Sequence, residues 1–368
     1  MAYTEIDDPS AHFQTLLYTG NGSDAHSITN SANAGDFKPD WVWTKNRTGT
    51  ARNHSIFDSS RGVQKYLYTN NSDAEATAAS SLQSFNTNGV TLGTSTQVNP
   101  NGNSMVAWQW KANGGTTASN TDGSITSTVQ VNDDAGFSIV LYTGNETDNA
   151  TIGHGLSAAP DVVIVKNRET ARTWLVGHSA YVNGGNSENI RLNSTDGVNA
   201  ASSEAGSGWS RTAFGSSVFT VGNGTDGDYT SSTNNGTDDH VAYCFRSIQG
   251  YSKIGKYVGN GSANGTFVYT GFKPAYVMIK NTATSGTNWE IRDIKRKQFN
   301  GQHKGLSANT SSAEGGGTDA NGLIDFLSNG FKQRYNGSDL NQSGATFIYM
   351  AFAEHPFVSS EGVPTTAR

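Results

Sequence analysis

The chain is poor in what most enzymes and membrane proteins are rich in. It has one cysteine and seven prolines in 368 residues, and 15% of its residues are charged, against roughly a quarter in an average soluble domain. One thiol excludes a disulfide framework. Cys244 lies within the run Tyr243-Cys244-Phe245 and reads as a small buried hydrophobe. No apolar run reaches the roughly 18 residues of a membrane-spanning helix, so membrane insertion is not expected. Positive charge is also short, with 25 Lys and Arg against 31 Asp and Glu, which argues against a nucleic-acid partner. Helical periodicity is thin: the best candidate, Asp73 to Leu82, is Ala-rich but short. Met1 to Asp8 has neither a basic nor an apolar leader region, so no signal peptide is predicted. The Asn-X-Ser/Thr triplets at Asn21, Asn46, Asn145, Asn223 and Asn260 then read as products of composition.

What is present is glycine, at 43 residues, and aromatic side chains, at 10% within an apolar share of only 34%. Short aromatic-rich segments between Asn, Gly, Ser and Thr turns are the composition of a β-protein. The segments also recur. Tyr18-Thr19-Gly20-Asn21-Gly22-Ser23 returns as Tyr142-Thr143-Gly144-Asn145-Glu146-Thr147 and as Tyr257-Val258-Gly259-Asn260-Gly261-Ser262. A second column reads Phe37-Lys38-Pro39-Asp40-Trp41-Val42-Trp43-Thr44-Lys45-Asn46, then Ala159-Pro160-Asp161-Val162-Val163-Ile164-Val165-Lys166-Asn167, then Phe272-Lys273-Pro274-Ala275-Tyr276-Val277-Met278-Ile279-Lys280-Asn281. A third closes each copy: Val106 to Trp110, Val241 to Phe245 and Ile348 to Phe352. Before it stand Phe85 with Asn88-Gly89-Val90, Phe214 with Ser217-Val218-Phe219, and Phe326 with Asn329-Gly330-Phe331, a turn followed by a strand. Recurrence of all columns in one order indicates internal duplication.

The fold expected is all-β: three tandem antiparallel β-sandwich modules, jelly-roll-like, of about 100–120 residues each. The modules span 12–113, 134–250 and 251–357, after an N-terminal arm over 1–11 and before a C-terminal tail over 358–368. Residues 114–133 read as a Gly/Ser/Thr linker with a possible extra strand from Ser124 to Val131, leaving the first pair of modules more flexible than the second. Apolar residues at both parities of the Pro-led column predict a strand covered on both faces. Lys45, Lys166 and Lys280 at its end are expected to mark its exit to solvent. Alternate aromatics in the closing column, Trp108/Trp110 and Tyr243/Phe245, should line the sandwich core.

These columns resemble the repeated β-modules of uncharacterised virion-associated, tail-fibre-like proteins of marine tailed phages such as cyanophages and pelagiphages. The likeness extends to Met1 through Gln14, to Asp58-Ser59-Ser60-Arg61-Gly62 and to the ending Ile348 through Phe357, and covers nearly the whole chain. It implies a non-enzymatic virion structural protein exposed on the particle, tail-fibre-like and host-recognising. A capsid decoration or head-fibre protein is the alternative, and a polysaccharide depolymerase a third. The implied setting is the virion, after synthesis in the host cytoplasm. The implied partners are other tail or capsid proteins, further copies of the chain as a homo-oligomer such as a trimer, and a host surface glycan. The likeness carries no catalytic residue. The Asp58 segment is not kept in every copy: the third has Asp293-Ile294-Lys295-Arg296-Lys297, and the second has His178 near the Asp position.

No catalytic, metal or cofactor site is predicted. Asp133-Asp134, Asp226/Asp228 and Asp238-Asp239 all sit in turn sequences, where Asp bonds the backbone two residues on. Their spacing matches neither a calcium loop nor a glycosidase pair. His26, His54, His154, His178, His240, His303 and His355 lack zinc-ligand spacing. The basic run Arg292-Asp293-Ile294-Lys295-Arg296-Lys297 reads as a solvated strand edge. The residues singled out for ligand or partner binding are Trp209, Arg211 and Tyr229, in the long loops of the second copy, because an aromatic beside a guanidinium is a common recognition pair. Packing between modules is the competing role for Trp209. The polar arm Met1 to Ser10 is the expected attachment segment.

Overall fold

The computed structural model describes residues 4–30, 37–182, 188–200, 208–222, 232–297, 300–301, 304–315 and 324–365. Strand accounts for 44% and helix for 3%. Each copy folds as a large antiparallel sheet backed by a three-stranded one. In the first module the large sheet runs Phe13–Thr19, Ser104–Trp110, Trp41–Asn46, Ser55–Asp58, Lys65–Tyr68 and Ala76–Thr77, and the small one His26–Ile28, Gly89–Leu92 and Leu82–Asn86. The second repeats this order with Phe137–Thr143, Asp239–Phe245, Val162–Asn167 and Leu175–His178, against Thr151–Gly153, Val218–Val221 and Trp209–Phe214. The third does so with Ser252–Val258, Thr346–Pro356, Phe272–Asn281 and Trp289–Asp293, against Phe267–Tyr269, Gly330–Gln333 and Ile324–Leu327. The Pro-led column thus holds the same place in each of these shared orders, hydrogen-bonded on one side to the closing column.

Side chains alternate across a strand, and that alternation builds two kinds of core. Val42, Val163 and Val277 point to the small sheet of their own module, each in a separate sandwich core. Trp41 and Trp43, Val162 and Ile164, and Tyr276 and Met278 point the other way, into one core shared by all three modules. Aromatic rings fill its middle: Trp41 lies 4.7 Å from Tyr243, Trp110 lies 5.9 Å from Tyr276, and Phe245 lies 5.9 Å from Phe352, so every pair of modules is in contact. Trp108, Trp110, Tyr243 and Phe245 therefore line the core between modules, whereas the expectation placed them inside each sandwich.

The segment between the first two modules is structured. It carries the strands Ala118–Asn120 and Ser127–Asn132, which extend the second large sheet. The buried Gln130 amide accepts from the Asn113 and Gly115 N–H groups and donates to the hydroxyls of Ser59 and Ser60, tying the junction to the first module. The described part of the arm is docked as well. Ile6 is buried in the shared core, and the Glu5 N–H and Thr4 hydroxyl both donate to the Gln249 carbonyl. Asp7 accepts from the backbone and hydroxyl of Ser360 in the tail. A short polar arm that finds acceptors and an apolar pocket on its own chain is ordered there.

Candidate functional site

Residues that recur in all three copies carry the frame. The Tyr-Thr/Val-Gly-Asn column is one half of a clamp. The hydroxyls of Tyr18, Tyr142 and Tyr257 donate to the carbonyls of Val98, Thr233 and Leu340 at 2.6, 2.6 and 2.5 Å. The next residues, Asn99, Asn234 and Asn341, are fully buried, and their side-chain oxygens accept the N–H of Asn21, Asn145 and Asn260. The glycine is demanded by closeness: a Cβ at Gly20, Gly144 or Gly259 would stand 2.1–2.5 Å from a carbonyl of the opposing loop. The clamp's second half, ending in Asn99, Asn234 and Asn341, escaped the sequence reading because its neighbours differ between copies.

Charged residues form the second recurring group, at the contacts between modules. Between the first and second, Asp58 accepts from Tyr243 Oη at 2.7 Å and pairs with Arg61, Arg61 reaches Glu75 at 2.8 Å, and Glu75 is held by Arg168 at 2.9 Å. Between the third and first the chain repeats: Trp108 Nε1 donates to Asp293 at 3.0 Å, Asp293 pairs with Arg296, Arg296 reaches Glu314 at 3.1 Å, and Glu314 is held by Arg47 at 2.9 Å. Burial works to raise the Glu75 carboxyl, but hydrogen bonds and charge from Arg168 and Arg61 hold it below its ordinary value. Between the second and third modules His178 and Thr282 replace the Asp and outer Arg, and Tyr181 Oη meets Thr282 Oγ1 at 2.5 Å. Burial lowers the His178 imidazole to about 4, so it is neutral at pH 7. One backbone bond is common to all three contacts: Glu75, Glu314 and Val198 N–H donate to the Arg168, Arg47 and Thr282 carbonyls.

This geometry corrects two expectations. The run Arg292 to Lys297 is no solvated edge, because Arg292 and Arg296 are buried against Glu290, Asp293 and Glu314, and only Lys295 is exposed. Lys45, Lys166 and Lys280 do not leave for solvent. They share the parity of Trp43, Ile164 and Met278, and all three are fully buried. Lys45 Nζ donates to the Arg52 and Ser311 carbonyls, and Lys280 Nζ to those of Thr195 and Thr287, so each crosses to the next module, while Lys166 Nζ donates to the Asn167 carbonyl.

The residues predicted to face a ligand are not gathered into a site. Trp209 is 1% exposed, in T-shaped contact with Phe214 inside the second module's own sandwich core, which leaves no face for a sugar or partner. It does not pack between modules either. Arg211 belongs to the strand Trp209–Phe214, and nothing is described of its side chain. Tyr229, like Asp226 and Asp228, lies outside the described residues. Asp133 bonds Arg246 and Ser157, and Asp238 bonds Asn167, Thr170 and Asn235, both as turn residues do. Among the described residues, no three His, Cys, Asp or Glu side chains come together to hold a metal, and no helix is long and apolar enough to cross a membrane.

One surface breaks the repetition. On the outer face of the third module's small sheet, Phe267 and Tyr269 are 43% and 61% exposed, with Val268 buried between them. Counterparts aligned on the buried Ile28 and Ile152 are Ser27 and Thr29 in the first module and Thr151 and Gly153 in the second. Phe267 pairs across the ladder with Lys332, and Lys332 with Asp325, which binds Arg334. Tyr269 pairs with Gly330, and Gly330 with Leu327. The readable signal was the triplet Phe267-Val268-Tyr269, apolar at both parities where the other copies read Ser27-Ile28-Thr29 and Thr151-Ile152-Gly153.

No curated protein and no solved structure matches the chain. A family profile described as "Domain of unknown function (DUF7483)" matches residues 8–356, all three modules together, and the chain belongs to that family.

Proposed function

We propose that the chain is a non-enzymatic structural protein of a tailed-phage virion, carried on the particle surface in the manner of a tail fibre. The observation that supports this most is where the reactive residue types stand. Asp58, Asp293, Glu75 and Glu314 are each closed onto an arginine at the contacts between modules, so these four carboxylates brace a frame. The resemblance of the repeated columns to marine phage virion proteins supplies the setting, and the partners it suggests are other virion proteins and further copies of the chain.

Immunogold labelling of purified particles with antibody raised against the chain tests this reading. Label on the tail is the expected result. Label on the head would favour a capsid decoration or head-fibre role, and particles free of label would overturn the virion reading altogether.

A further inference from the structure

From the departure of the third module from its siblings, we infer that its outer sheet is a carbohydrate-binding platform, with Tyr269 and Phe267 as the stacking surfaces. The clamp of Tyr, Gly and two Asn that shapes each module recurs three times in this molecule, and these two rings do not. The small sheet closes over its sandwich core with Ser27 and Thr29, or with Thr151 and Gly153, at the same places. Two large apolar rings held toward water therefore serve something other than folding, since each would lower the free energy further if buried.

Their posture fits a sugar. Phe267 lies against Gly330, where a Cβ would stand 3.1 Å from its Cε2, and Tyr269 leans over Gly271, where a Cβ would stand 3.7 Å from its hydroxyl. Glycine beside each ring supplies no side chain to cover it, and 43% of Phe267 and 61% of Tyr269 stay open to solvent. The negative face of an aromatic ring attracts the weakly positive C–H hydrogens on one side of a pyranose. Residues two apart on a strand present side chains roughly 7 Å apart on one face, a spacing that suits neighbouring sugar units. The rim is polar: Lys332 beside Phe267, and the Asp325–Arg334 pair beyond it, offer donors and acceptors to hydroxyl groups.

Size decides against a protein partner. Fully buried aromatic side chains cover about 150–250 Å² each, so the two half-exposed rings offer about 200 Å². A stable protein interface needs about 800 Å² from each side. The inference does not rest on the virion reading, because binding is measured on the purified chain and location on the particle.

The test is calorimetric titration of the full chain with cellohexaose, chitohexaose and a soluble bacterial O-polysaccharide. At least one should bind with a dissociation constant on the order of 0.1 mM. The double variant Phe267→Ser with Tyr269→Thr installs the first module's residues. It should weaken that binding at least about tenfold with an unchanged melting midpoint. Absence of binding to all three probes at millimolar concentration would overturn the inference. So would undiminished binding by the double variant, or a dimer in sedimentation that the double variant dissolves without affecting sugar binding.

Discussion

At the residue scale the frame is governed by the buried clamp amides Asn99, Asn234 and Asn341, whose side-chain oxygen and nitrogen are both committed. Asn341 is fully buried, accepts the Asn260 N–H at 3.0 Å, and donates to the Asn260 side-chain oxygen and the Ser262 carbonyl, both at 2.8 Å. Removing one partner of a buried hydrogen bond strands the other and costs about 1–3 kcal/mol. Asn341→Ala strands a donor and two acceptors near the surface, so urea titration should show a loss of about 2–3 kcal/mol. Asn341→Asp keeps the acceptor for Asn260 N–H but loses both donations, and should lie between. A change below about 0.5 kcal/mol in Asn341→Ala would mean that the clamp contributes nothing to the frame. The same economy explains why Trp209 misled. A lone Trp among Gly and Ser looks like a loop residue, yet its ring fills the second sandwich core beside Phe214 and Phe219.

At the element scale, the Pro-led strand shows how far the sequence could be read. Apolar residues at both parities correctly implied a strand covered on both sides, and Trp41–Asn46 and Val162–Asn167 are buried at every position. What covers the second face was not legible, because a module read singly has only one sandwich core, and the other cover is two further modules distant in sequence. The lysines were misread for the same reason. A charge after an apolar run suggests solvent, but here Lys45 and Lys280 meet carbonyls of a neighbouring module and Lys166 that of Asn167. Likewise the outer aromatic pair lay open in the sequence but had no meaning until the sheet register set Phe267 and Tyr269 beside Ser27 and Thr29. The buried lysines also set a pH dependence. Burial lowers Lys45 to about 8, Lys166 to about 7 and Lys280 to about 8 from the ordinary 10.5. Between those values and 10.5 the unfolded chain binds more protons than the folded one, so stability should rise as pH goes from about 7 toward 10. Above 10 it should fall, because burial raises Tyr18, Tyr142 and Tyr257 in the folded state and only the unfolded phenols ionise. Melting midpoints across this range check the slope. Lys166→Met, which removes the lysine with the lowest value, should make it shallower; an unchanged slope would show that Lys166 takes no part in it.

At the scale of the whole molecule, three sandwiches that could have been beads on a string are joined through one core. Each large sheet gives that core an apolar face, including Trp43 and Trp108 from the first module, Ile164 and Tyr243 from the second, and Met278 and Phe352 from the third. A single module set free would expose this face to water at roughly 25 cal/mol for each Å². It would also leave charges such as Asp293 and Arg296 without Trp108 and Arg47 beyond them. The three modules should therefore unfold together. Tryptophan placement makes this measurable, since Trp41, Trp43, Trp108, Trp110, Trp174 and Trp289 all lie in the shared core and only Trp209 lies in a sandwich core. Tryptophan fluorescence thus reports the junction of the modules, while far-ultraviolet circular dichroism reports their sheets. In a denaturant titration the two signals should change at one midpoint with one slope, as a two-state transition requires. A fluorescence change that precedes the loss of sheet would show modules parting while still folded. A fragment spanning 251–357 that melts cooperatively as a monomer would show the same from the other side, and either result would reduce the shared core to a contact between independent domains.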